Sequence, residues 1–192
     1  CKYTTLKRSS LINFLTKDLN GLIKTGYNIS KIDQQNKQIK LSFENDDSIE
    51  CDYLIISDGV FSKSKTLISN GKAQTKYNNT LAIRGILNKS PENIDNKNIA
   101  LFLGSDFHHV IYPVSPNGDL NFIAIMKYKL SSEDQKNYSL FSDNTFIKKV
   151  LQKIPIENKD LLKDLKIFPV FVSDNFHKLQ SNNVHLICLL YT

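Results

Sequence analysis

Arginine is almost missing from this chain. Only Arg8 and Arg84 occur among the 25 basic residues of its 192, while lysine, asparagine and isoleucine are abundant. Lysine therefore serves wherever a plain positive charge suffices. A guanidinium kept against that bias points to a task lysine cannot perform, because its planar fork of donors matches phosphate, ribityl or carboxylate oxygens. The competing reading is two surface arginines left by chance. Cysteine is scarce too. Cys1, Cys51 and Cys188 form an odd, widely spaced set with no C-x-x-C, which argues against a disulfide framework and against a metal site. We read them as reduced spectators. No apolar run approaches the roughly 18 residues of a membrane span, and no charged stretch followed by an apolar one opens the chain as a secretion signal would. The default compartment is the cytoplasm, with no integral membrane segment expected. Charge of one sign is not concentrated either. The net charge is +6, and Lys2, Lys7, Lys63, Lys65, Lys148 and Lys149 are dispersed without interleaved aromatics, so no nucleic-acid partner is expected. With 41% hydrophobic and 23% charged residues, the chain is neither disordered nor fibrous.

The chain opens on Cys1 rather than Met and closes on Leu189-Leu190-Tyr191-Thr192, in or just after an apolar run. Domains seldom stop there, so we expect an interior piece of a longer polypeptide.

From Ser9 or Ser10, either a suitable N-cap, Leu11, Leu15, Leu19, Leu22 and Ile23 recur at helical spacing until Gly26. This predicts a helix with one buried face. Ile29 to Asp33, a polar turn around Gln34 to Lys37, and the alternating Ile39-Lys40-Leu41-Ser42-Phe43 read as a half-exposed hairpin. Tyr53-Leu54-Ile55-Ile56 is a continuous apolar run, expected of a strand covered on both faces. It ends at Ser57-Asp58-Gly59, and open α/β sheets bind ligands at such C-terminal strand edges. A polar linker is expected over Asn70 to Asn79. Beyond it, Leu81–Leu87, Ile99–Leu103, His108–Val114 and Leu120–Met126 follow with no long helix among them, which predicts an antiparallel sheet. Asn117-Gly118 supplies a hairpin turn between the last two. Helical patterns resume over Asp143 to Lys153, with Ile147, Val150 and Leu151 on one face and Pro155 as a stop, and again over Lys159 to Leu165. Ile167–Val172 and Val184–Leu190 read as further strands, and there is no internal repeat.

Two constellations could carry chemistry. In the first, Asp58-Gly59-Val60-Phe61-Ser62 leaves the apolar strand. Glycine lets the backbone approach a ligand, and the carboxylate can accept from loop amides or a ribose hydroxyl. An Asp-Gly after a strand is also, more simply, a turn. In the second, His108 and Tyr112 lie on one face of a strand while His109 and Ile111 point to the other. Imidazole titrates near neutrality and is suited to proton transfer, with a phenol beside it to orient the partner. The bland alternative is a half-buried pair satisfied by its neighbours. His177 and His185 are read as ordinary residues.

These stretches together resemble the FAD-dependent, single-component aromatic-ring hydroxylases, particularly the branch of salicylate and 6-hydroxynicotinate hydroxylases. Leu6-Lys7-Arg8-Ser9-Ser10-Leu11 with Leu15 is similar to that family's h-x-R-x-x-L-x-x-x-L helix start. Asp52 to Lys65 is similar to its D-h-h-h-G-A-D-G-x-x-S-x-x-R signature, Ala82-Ile83-Arg84-Gly85-Ile86 to its a-x-R-G-h strand, and Gly104 to Pro113 to its G-x-x-x-H-x-x-x-Y-P hairpin. The matches run in the family's order over about residues 5 to 188. The chain departs from the signature at Ile56, where glycine is usual, and at Lys65, where arginine is. Asn183 to Leu190 lies where the family carries a Gly-Asp pair that is missing here, and the G-x-G-x-x-G finger would precede Cys1.

The resemblance implies an α/β fold of the p-hydroxybenzoate hydroxylase type. Residues 1–72 would form part of a Rossmann-like FAD-binding domain, 73–175 an inserted antiparallel substrate domain with helices, and 176–192 a truncated return to the FAD-binding domain. It implies that Arg8 reaches the ribityl-phosphate side of FAD, and that Asp58 and Gly59 hold FAD and accommodate the nicotinamide donor. His108 would act as base in the substrate pocket, with Tyr112 orienting the ring. Arg84 stays open between ligand and domain interface. The implied activity is NAD(P)H- and O2-dependent hydroxylation of a small aromatic substrate, with no metal, and a homodimer is compatible with it. Three alternatives remain: another flavoprotein of the same fold, such as a quinone-pathway hydroxylase, reductase or halogenase; an inactive homologue; or a non-catalytic basic binding module.

Overall fold

The computed structural model describes residues 5–35, 38–69, 74–87, 90–91, 94–95, 97–115, 118–154, 156, 159, 162–174 and 180–187. Backbone proximity divides the chain into two compact units, Cys1–Asn20 with Tyr77–Val170, and Gly21–Lys76 with Phe171–Thr192. The resemblance implies boundaries at 72/73 and 175/176, whereas in this division residues 1–20 group with 77–170. The architecture is mixed α/β with mostly antiparallel sheets, as the sequence predicts.

In the unit built from residues 21–76 and 171–192, the predicted hairpin forms and gains a third strand. β1 (Ile29–Gln35), β2 (Gln38–Phe43) and β3 (Ser48–Cys51) pair antiparallel in that order. Strict alternation sends Ile39, Leu41 and Phe43 into a core completed by Ile56, Val184 and Leu186. Each such side chain contributes roughly 1.5–3 kcal/mol by leaving water. β4 (Leu54–Ile56) pairs parallel with β11 (Val184–Leu186), which in turn pairs antiparallel with β10 (Gln180–Ser181). The expectation that β4 is covered on both faces is corrected. Ile56 faces the core of Ile39, Leu41 and Phe43 and is buried, while Ile55 on the opposite face is 64% exposed, nothing among the described residues covering it. Cys51 is a free thiol whose pKa is raised by partial burial and by the Asp52 carboxylate. Cys1, Cys188 and His177 lie outside the described residues.

The other unit is built on a five-stranded sheet. Its order is β6 (Ala100–Leu103), β7 (Phe107–Pro113), β8 (Leu120–Lys127), β5 (Gln74–Leu87) and β9 (Leu162–Asp174). Leu120, Phe122, Ala124 and Met126 alternate inward from β8 and meet Leu81, Ile83 and Leu87 of β5. α3 (Asn144–Gln152) buries Phe146 and Val150, and Phe141 and Ile154 are buried as well; Phe146 meets the rings of Phe141 and Tyr128 edge-on. Asp143 caps α3, its carboxylate accepting from the Phe146 amide at 2.8 Å. The turn residue Asn117 lies outside the described residues, while Gly118 beside it has the positive φ of +88° that its turn needs.

Three expectations are corrected here. The first helix, α1, spans only Arg8–Thr16, starts before Ser9 and Ser10, and buries none of its residues. It stops where the Thr16 hydroxyl donates back to the Ile12 carbonyl, so Leu19, Leu22 and Ile23 lie beyond the helix and remain exposed. The linker expected over 70–79 is strand from Gln74 onward. Of the helix expected over 159–165, residues 160 and 161 lie outside the described residues, and Leu162 to Leu165 form the start of β9. Asp164 has φ +51°, which breaks the two-residue alternation and leaves Leu162 and Leu165 at a spacing that imitates a helix.

Candidate functional site

Asp58 and Gly59 follow the C-terminal end of β4, one strand of the parallel pair. The chain turns there, with the Ser62 amide donating to the Gly59 carbonyl at 3.2 Å, and enters the short helix α2 (Lys63–Ile68), capped by the Ser62 hydroxyl. Asp58 is exposed. Gly59 has φ +86°, and a Cβ there would meet nothing within 4 Å. The glycine is therefore required by backbone conformation, and the space above it is open. A cleft of about 480 Å³ lies against this bend, lined by Tyr27, Ile56, Ser57, Asp58, Phe61 and Ser62 among others. Its size is that of a small-molecule or cofactor site. An exposed carboxylate, an unobstructed glycine and an adjoining cleft at the carboxyl end of a parallel strand fit the nucleotide part of a flavin.

Lys65 is the residue the sequence reading passed over. It is 2% exposed, and its ammonium donates to the Val60 carbonyl at 3.1 Å and to the Ser173 hydroxyl at 2.9 Å. Its place in the signature, where arginine is usual, was the available signal.

The second constellation lies in the other unit. Register places His108 opposite Ile125, Val110 opposite Ile123 and Tyr112 opposite Asn121, and carries the same rows on to Ala82, Arg84 and Ile86 of β5. Residues directly opposite share a face. Imidazole, phenol, guanidinium and the Asn121 amide therefore project from one side of the sheet, with half-buried Val110, Ile123 and Ile125 between them. The sequence leaves Arg84 open between ligand and domain interface; the pairing of β5 with β8 puts it on this face, its guanidinium 5.5 Å from the ring centre of Phe168. Arg8, at the start of α1, is exposed. The residues before it are tied to the Tyr112 end of the sheet: the Thr5 hydroxyl donates to the Pro113 carbonyl, and the Lys7 ammonium lies 3.8 Å from the Asp119 carboxylate. Arg8, His108 and Tyr112 thus belong to one unit, and Asp58 and Gly59 to the other.

His109 faces the opposite side, as the alternation predicts. Its Nδ1 is buried without a hydrogen-bond partner, and its pKa is lowered by burial and by neighbouring His108. A cavity of about 600 Å³ opens on this side, lined by Phe102, Phe107, His109, Met126, Lys127 and Lys153 among others. None of the sequence-predicted site residues lines it. Among the described residues no three His, Cys, Asp or Glu side chains are grouped to hold a metal. No described helix is long and apolar enough to cross a membrane.

Two glycines in the matched motifs are tightly packed, Gly104 more than Gly85. A Cβ on Gly85 would come within 3.1 Å of Leu165 Cδ2 and 3.2 Å of the Lys163 carbonyl, and one on Gly104 within 2.8 Å of the Phe107 carbonyl in the β6–β7 hairpin.

The arrangement has close counterparts among solved structures. A putative FAD-containing monooxygenase from Photorhabdus luminescens superposes with a TM-score of 0.68 at 16% identity, covering 94% of this chain and 55% of that one. A variant of HpxO from Klebsiella pneumoniae, solved with FAD, gives 0.67 at 15% identity over 94% of this chain and 48% of that one. The fold is that of the FAD-dependent hydroxylases. A salicylate hydroxylase–substrate complex likewise gives 0.65 at 18% identity. Among curated proteins, salicylate hydroxylase of Pseudomonas putida is 23% identical over 138 residues, covering 64% of this chain and 32% of that protein. No family model matches. The chain thus spans about a third of the length of its curated relative and about half of the structural neighbours.

Proposed function

We propose that the chain is part of an FAD-dependent monooxygenase that uses NAD(P)H and O2 to hydroxylate a small aromatic substrate. The observation that supports this most is the likeness over 94% of the chain to a hydroxylase-fold protein solved with FAD, joined to the residue motifs that suit that chemistry. FAD, when bound, supplies the activation of O2 and the transfer of one oxygen atom. The chain's own residues supply the rest. Asp58 accepts hydrogen bonds from the cofactor's hydroxyls, and Gly59 lets the backbone come close. Arg8 pairs with oxygens on the ribityl-phosphate side. On the sheet face, Val110, Ile123 and Ile125 form an apolar bed for an aromatic ring and keep water from it. His108 takes the proton from a ring hydroxyl oxygen, which makes the ring more electron-rich, and the Tyr112 hydroxyl fixes the ring's orientation.

The complete reading frame, expressed and purified, should bind added FAD with the absorption bands of a bound flavin and oxidise NADH or NADPH faster when a hydroxybenzoate or hydroxypyridine is present. A colourless protein with no flavin bands after FAD addition ends this reading. Comparing NADH with NADPH identifies the donor.

A further inference from the structure

The proposed hydroxylation makes no use of the cavity behind the sheet, whose lining residues all lie in the unit that contains 77–170. Its apolar side is aromatic and sulfur-bearing: Phe102, stacked on His109, then Phe107 and Met126. Phe102 and Leu103 stay 42% and 78% exposed, so apolar surface meets solvent here where a flat ring would cover it. The rim is charged. Lys127 and Lys153 supply two ammonium groups and Asp106 a single carboxylate, which Lys127 already holds at 2.7 Å. Lys153 pairs with no carboxylate of the described residues; its ammonium lies 4.8 Å from the ring centre of Tyr128. His109 adds no third charge, since burial and the neighbouring His108 lower its pKa. An aromatic floor with one surplus positive charge at its edge, in about 600 Å³, suits a small flat molecule that ends in an anion.

We propose that this cavity is a second ligand site, for a small aromatic carboxylate, on the face of the sheet opposite His108 and Tyr112. It stands apart from the FAD reading, because none of its lining residues is assigned to cofactor or substrate.

The test uses the complete reading frame carrying methyl-labelled methionine, followed by NMR. Met126 lines the cavity and is the single methionine of these 192 residues; Met126→Leu identifies its methyl signal in the longer chain. Benzoate should move that signal saturably, and benzamide, its neutral counterpart, should bind about threefold or more weakly. Lys153→Gln should weaken benzoate by about threefold or more and leave benzamide unchanged. Phe102→Ala should weaken both by about tenfold. His108→Ala, on the opposite face, should leave the benzoate titration of Met126 unchanged. A Met126 methyl that stays still up to about 10 mM benzoate overturns the proposal, as does equal affinity for benzoate and benzamide. So does a shift that follows protein concentration instead of benzoate, because a second copy then fills the cavity. A shift that His108→Ala abolishes while Lys153→Gln and Phe102→Ala keep it is relayed from the other face and overturns it too. Absence of flavin binding in the unaltered protein removes the FAD reading and leaves this titration to decide the second site by itself.

Discussion

The imidazole of His109 lies parallel to the ring of Phe102, with centroids 4.4 Å apart and planes 7° from parallel. Phe107 and Phe122 flank the same imidazole at 5.4 and 5.7 Å. Burial at this place, together with the neighbouring His108, sets the pKa of His109 below the ordinary value.

A lowered imidazole pKa has a definite sign in stability. The unfolded chain binds the proton more readily than the folded one, so stability rises with pH through this range and falls as pH drops below the ordinary imidazole value of about 6.5. Thermal unfolding followed from pH 7.5 to 5.5 should show Tm falling on the acid side. His109→Phe should flatten that fall, and an unchanged slope in the variant would assign the dependence to other groups.

On the other face of the same strand, His108→Ala is expected to slow hydroxylation by about a hundredfold or more, the usual worth of a positioned base. Bound flavin should keep its spectrum. Tyr112→Phe should leave flavin binding equally intact and lower the ratio of hydroxylated product to NAD(P)H consumed. Loss of flavin from either variant would show that this face holds the cofactor instead of the substrate.

Gly85→Ala and Gly104→Ala should each destabilise by about 1–3 kcal/mol. Leu165 can give way at the first position, but the Lys163 carbonyl belongs to the backbone, as does the Phe107 carbonyl that a Cβ on Gly104 would meet. For a chain of this size the loss corresponds to roughly 3–10 °C in Tm. A shift of less than a degree at Gly104 would mean that the hairpin relaxes freely.

Asp143→Ala removes the cap of α3 and should cost about 1 kcal/mol, whereas Asp143→Ser should retain most of it. Chemical denaturation of the two variants side by side measures the difference.

How much of this was legible in the sequence depended on how far each residue's local pattern agreed with its tertiary surroundings. Ile39, Leu41 and Phe43 alternate strictly and are buried as they read. The facing of His108 and Tyr112 followed from strand alternation alone. Periodicity misled at Leu19, Leu22 and Ile23, where helical spacing continues after the chain has left the helix at Thr16. It misled again at Leu162 and Leu165, where a single residue of positive φ, Asp164, shifts the strand's phase. Arg84 could be placed beside His108 and Tyr112 only through the register of β5 on β8, a pairing between distant segments that no local window contains. Lys65 was hidden for a different reason. Burial of a charge has no sequence pattern, and its partner Ser173 lies in another strand.

The side-chain amide of Asn183 reaches the Asp52 carbonyl 131 positions away, and the strand that follows is the one that gives β4 its parallel partner. The pairing of Leu54–Ile56 with Val184–Leu186 therefore closes a long loop, which is entropically slow, and places this contact among the last to form as the chain is made.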